Sequence, residues 1–237
     1  MSTEKSLLII MPKMMNIFKS EWLLTLLFLM PGWVFLKTEG DLSVYFFYHV
    51  PIGQFLYLLC KLCGLYAIVC FGLQLLQGLL ASCGYSLLGT EISTASHRRL
   101  GLWVLILMIL HSGLFVTAVS LRNGHFAYQF LLPNFFESYY PAMISFGLIA
   151  ACLLLLTVLS VIMGKSGKGR WFWGHRLAWP AFFLALFHSY SIGSETRIAP
   201  MQYVFWLMLV SIVAAMLYRI WQGIAKSGQA GLKESGQ

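Results

Sequence analysis

The sequence predicts an all-α membrane protein: six transmembrane helices in a bundle, with the N- and C-termini cytoplasmic. Three observations carry this. Of 237 residues, 59% are hydrophobic and only 10% charged, and mean hydropathy is +0.77. Soluble domains carry about 25% charged residues, so this chain has too little polar surface to cover a fold in water. The apolar residues also come in continuous runs of helix length rather than in alternation, and in lipid only helices or closed barrels satisfy their own backbone. Finally, the basic residues gather in short segments between those runs, on one side of the barrier.

Residues 1–19 read as a basic cytoplasmic leader, with Lys5, Lys13 and Lys19. No short apolar stretch followed by a small-residue cleavage site marks a removable signal, so the first long span is expected to remain as an anchor. Residues 20–222 form the membrane domain. Span 1 covers about 20–36, with Pro31-Gly32 as an expected kink. An aromatic stretch, VYFFYHV, follows and suits the half-wet membrane interface. Span 2 covers about 54–80, span 3 about 96–121, span 4 about 139–163, span 5 about 171–192 and span 6 about 202–221. Residues 223–237 form a polar tail, expected to be disordered.

Six spans put both termini on one side, and the basic residues say which. The leader, the segments after spans 2 and 4, and the tail carry twelve Lys and Arg, against four on the opposite side. Lys and Arg concentrate on the cytoplasmic side, so the termini are cytoplasmic. This also accounts for the net charge of +8 without nucleic acid. Five cysteines make no disulfide framework. Cys60 and Cys63 stand in an apolar helical run and read as small packing residues, not a redox pair.

The chemistry lies in spans 3 and 5. Span 3, SHRRLGLWVLILMILHSGLFVTAVSL, has His97 at its start and His111 in its middle. Span 5, RWFWGHRLAWPAFFLALFHSYSI, repeats the plan with His175 and His188. Both spans run outward, so His97 and His175 share a cytoplasmic-side depth, while His111 and His188 share a deeper one. Fourteen residues of helix rise about 21 Å and thirteen about 19.5 Å, inside a hydrocarbon core about 30 Å thick. One buried histidine is ordinary. Four at two matched depths are not, because intramembrane polar groups are costly. Imidazole is neutral when it binds a metal, so its burial costs less than that of a charge.

Two ligands at each of two depths suit two b-type hemes sandwiched between two helices. In span 3 fourteen steps return within about 40° of the start, whereas thirteen steps in span 5 leave His188 about 140° from His175. Pro180, which removes the bond to the carbonyl of Arg176, is expected to absorb that difference. Gly101, Gly113, Ala178 and Ala185 would let a porphyrin approach the backbone, or would serve plain helix packing. Arg98, Arg99 and Arg176 read mainly as cytoplasmic-side charge, with room for one to meet a heme propionate. His49 and His125 fall in outer segments and read as loop histidines.

HRRLGLWVLILMILH and WGHRLAWPAFFLALFH resemble the two bis-histidine helices of the ferric reductase-like transmembrane superfamily, which includes NADPH oxidases and iron reductases. The likeness covers most of the six-span region. The first stretch is also similar to the heme membrane subunit of bacterial periplasmic methionine sulfoxide reductase systems. The resemblance implies an inner heme on His97 and His175 and an outer heme on His111 and His188. It implies an oxidoreductase or electron-transfer subunit in a bacterial inner membrane. The donor would be a cytoplasmic flavoprotein reductase, a free flavin or a quinol, because the flavin and nicotinamide domain common in the superfamily does not follow span 6. The acceptor would be ferric iron, oxygen or a redox protein outside. Another class, a cofactor-free transporter or channel, is disfavoured because all eight acidic residues fall in loops or at span ends.

Overall fold

The computed structural model describes residues 21–82, 94–163 and 170–234. The leader, the segment 83–93, the basic segment 164–169 and residues 235–237 lie outside the described residues. Within them the fold is helical, without strands. In chain order the helices are α1 Glu21–Glu39, α2 Val44–Phe47, α3 Gln54–Ser82, α4 Thr94–Asn123, α5 Tyr139–Met163, α6 Arg170–Arg176, α7 Ala178–Ile192 and α8 Met201–Glu234. Short 3-10 turns fall at Tyr128–Leu131 and Glu195–Arg197.

Among the described residues, four helices are long and apolar enough to cross a membrane: α3, α4, α5 and α8. That makes the chain a multi-pass membrane protein by length and composition. The other two expected spans differ. α1 has 19 residues and runs without interruption through Pro31, with Lys37 and Glu39 in its last turn. Span 5 is two helices, of 7 and 15 residues, meeting at Leu177. Leu177 donates to the carbonyl of Gly174, three residues back rather than four. The break falls where Pro180 has no N–H to offer the carbonyl of Arg176. α8 continues to Glu234, well beyond the expected end of span 6 and through most of the tail expected to be disordered.

α3 is the hub. Its Leu65, Ile68, Val69, Phe71, Leu75 and Leu79 are buried in the main core. They pack against α4 on one side and against α7 and α8 on the other. Phe71 meets Phe182 of α7 edge to face, with ring centres 5.5 Å apart, and Phe182 is fully buried. Burying a side chain of that size contributes about 1.5–3 kcal/mol where the alternative is water. The outside of the bundle is apolar as well. Along α8, Trp206, Leu207, Val210, Val213, Leu217 and Ile220 form an exposed stripe at helical spacing. Leu155, Leu156, Leu159 and Ile162 do the same on α5. A continuous apolar surface of this extent suits lipid and would aggregate in water.

Two antiparallel hairpins organise the rest. α3 pairs with α4, and α5 pairs with α6 and α7. The backbones of α4 and α7, the helices that carry the deeper histidines, scarcely approach one another. The space between them is bridged by side chains.

Candidate functional site

The four histidines of the expected spans 3 and 5 meet in two pairs. His97 faces His175 with ring centres 6.1 Å apart and planes at 69°. His111 faces His188 at 6.2 Å and 77°. The split of span 5 lets both its histidines face α4. α6 sets His175 and α7 sets His188 independently, so the rotation of a single straight helix no longer applies. His49 and His125 are exposed in the segments between helices and join neither pair.

At the deeper pair, both rings are tied from behind. His111 Nδ1 lies 2.9 Å from the carbonyl oxygen of Cys60 on α3. His188 Nδ1 lies 2.7 Å from the carbonyl oxygen of Met143 on α5. A carbonyl only accepts, so each Nδ1 carries the proton and donates it. Each Nε2 is then left with its lone pair. Metal-binding histidines are oriented in this way, the non-ligating nitrogen donating to a carbonyl or carboxylate that fixes tautomer and ring angle. Cys60 adds its sulfur 3.3 Å from the same Nδ1. Cys60, Cys63, Cys70 and Cys152 are all free thiols.

The shallower pair is built differently. His97 Nδ1 is buried with no hydrogen-bond partner among the described residues. Nearby, Arg98 and Arg99 are exposed, and the Arg176 guanidinium lies over the ring of Trp173 at 4.7 Å.

Each pair offers two neutral nitrogen donors. No group of three or more His, Cys, Asp or Glu able to hold a metal ion occurs among the described residues. A bare structural or catalytic ion takes three or four protein ligands. A metal with its equatorial positions already filled, as in a porphyrin, needs only two axial ones. The spacing agrees: two metal–nitrogen bonds of about 2 Å and about 1 Å from each nitrogen to its ring centre make about 6 Å. Direct edge-to-face contact between rings spans the same range, so the proton on Nδ1 carries more weight than the distance. A cavity of about 220 Å³ opens between the hairpins at the deeper pair, lined by His111, His188, Met108, Phe115, Ile144 and Ala185 among others.

Two residues of a charged cluster that sequence reasoning missed, Lys61 and Glu195, line the same cavity. Lys61 of α3 forms ion pairs with Glu39 of α1 and with Glu195. Glu195 is only 2% exposed. Tyr45 directs its hydroxyl to Glu39 at 3.3 Å. The three charges come from distant parts of the chain, and each carboxylate stands at a helix end or in a turn. Their burial follows from how α1 and the 195–197 turn close over α3, which no spacing reveals. The available signal was Lys61 itself, seven residues inside an otherwise apolar helix.

Gly101 and Gly113 read as easing the approach of a cofactor or as plain helix packing. A Cβ at Gly101 would meet Gln74, and one at Gly113 would meet open space. Compared with known proteins, the chain matches no family model, no curated protein and no solved structure.

Proposed function

We propose that this chain is a transmembrane electron-transfer protein that holds two b-type hemes. His97 and His175 would ligate the inner heme, and His111 and His188 the outer one. In this reading α1 and the joined α6–α7 also cross the membrane, giving six spans, with the termini cytoplasmic as the distribution of Lys and Arg indicates. A bacterial inner membrane is the setting that the sequence resemblance favours. Bound at both tiers, the hemes would supply one-electron chemistry at two depths, linking a cytoplasmic-side flavoprotein or quinol to an acceptor outside: ferric iron, oxygen or a redox protein.

One observation carries the reading. Both deeper imidazoles donate Nδ1–H to a main-chain carbonyl of the neighbouring helix. Both therefore keep Nε2 as an electron-pair donor. Two rings satisfied only by stacking on each other would have no need of the same tautomer. The protein's own contribution is to bind and orient. The carbonyls of Cys60 and Met143 set the ring angles, and Met108, Phe115, Ile144 and Ala185 give the cavity its apolar part.

A cofactor-free transporter has one observation in its favour, the buried Lys61–Glu39–Glu195 cluster. That reading leaves four paired histidines without a role. The test is a reduced-minus-oxidised spectrum with heme quantification on purified protein, wild type beside His111→Ala. The expected result is two b-type hemes per chain in the wild type and one in the variant. A colourless wild type, or a full heme complement in His111→Ala, would contradict the proposal.

A further inference from the structure

We infer that Gly64 and Gly147 are positioning residues of the outer tier, each providing the gap in a neighbouring helix that seats a histidine ring. This rests on the two-heme reading and says which residues build one of its two sites.

The arrangement occurs twice. A Cβ added at Gly64 would lie 2.8 Å from His111 Nδ1 and 2.9 Å from Cε1. A Cβ added at Gly147 would lie 2.7 Å from His188 Nδ1 and 2.8 Å from Cε1. Real Cβ contacts are essentially never shorter than 3.0 Å. The acceptor carbonyl in each case stands four residues before the glycine: Cys60 for Gly64, and Met143 for Gly147. In a helix a side chain tilts toward the N-terminus and covers the preceding turn. A side chain at either position would therefore cover the carbonyl that the imidazole uses. With glycine there, the second lone pair of that carbonyl is open to Nδ1–H.

The inner tier lacks this seat. α3 and α4 run antiparallel, so the fourteen residues from His111 to His97 are matched by the fourteen from Gly64 to Gly78. Yet a Cβ at Gly78 would lie 3.6 Å from His97 Cε1, an ordinary contact. On α5, thirteen residues beyond Gly147 comes Ser160, as thirteen separate His188 from His175. Glycines that serve only packing look different. A Cβ at Gly72 would run into the flexible end of Met208 and reach no histidine.

The test uses the full chain in detergent, with Gly64→Ala, Gly147→Ala, Gly78→Ala and Gly72→Ala beside wild type and His111→Ala. Heme per chain and the ferric low-spin electron paramagnetic resonance signals are the readouts. Gly64→Ala and Gly147→Ala are each expected to fall from two hemes to one, losing the signal that His111→Ala loses. The surviving inner-heme signal reports that the variant has folded. Gly78→Ala and Gly72→Ala are expected to keep both hemes. Two hemes with unshifted signals in Gly64→Ala or Gly147→Ala would overturn the inference. So would loss of both hemes together, or equal loss in all four variants, since each makes these glycines general packing residues. A colourless wild type would remove the two-heme reading and the inference with it. A two-heme wild type beside unaffected glycine variants would remove the inference alone.

Discussion

Lys61 shows what a single buried charge commits a membrane protein to. Its ammonium neutralises part of two carboxylates, and Glu195 has almost no access to solvent. Removing one partner of a buried pair leaves the other charge unsolvated, a loss of about 3–5 kcal/mol. Lys61→Met should therefore destabilise the fold by about that much, read as a lowered midpoint of thermal unfolding in detergent. Adding Glu195→Gln should recover part of the loss, because the stranded charge goes with it. A double variant no more stable than Lys61→Met would show that the pair is not the cause. At this scale the sequence was informative about one thing and silent about another. The matched spacings of His97 and His111, and of His175 and His188, indicate shared depth. They say nothing about what stands behind each ring. Gly64 and Gly78 repeat the fourteen-residue step of the histidines, but that step gains meaning only once α3 and α4 are known to be antiparallel.

Among the elements, the joint between α6 and α7 matters most. Thirteen residues of straight helix would turn His188 about 140° away from His175, yet both rings face α4. The joint at Leu177 reconciles the two. Pro180 has no N–H for the carbonyl of Arg176, and Gly174 packs so closely on Ser160 that a Cβ there would overlap its side chain. Pro180→Ala restores the missing donor and favours one continuous helix. The expected outcome is a protein that keeps the outer heme, because α7 and its core contacts remain, and loses much of the inner one as His175 rotates. Heme per chain checks this. Two hemes in Pro180→Ala would mean that the joint is held by packing alone. The proline was visible in the sequence. The position of the break was not, because it is set by contact with α5 as well as by the missing bond.

Taken whole, the molecule is two antiparallel hairpins around a shared hub, with lipid-facing side chains outside and histidines across the gap. α3, α4 and α5 were legible to within two residues at each end, since long apolar runs with polar flanks have one solution in lipid. α1 and the α6–α7 pair were harder, because charge near one and a break in the other shorten their apolar stretches. The charged cluster at Lys61 and the seats of the deeper histidines arise only when separate helices pack. They belong to tertiary structure and leave no periodic trace.

The central claim is that each tier holds one iron between two imidazoles. Electron paramagnetic resonance of the oxidised wild-type protein at low temperature tests it most directly. Two distinct low-spin ferric signals of bis-imidazole type, each integrating to one spin per chain, are the predicted result. A high-spin ferric signal as the main species, a single low-spin center, or no heme signal at all would contradict it.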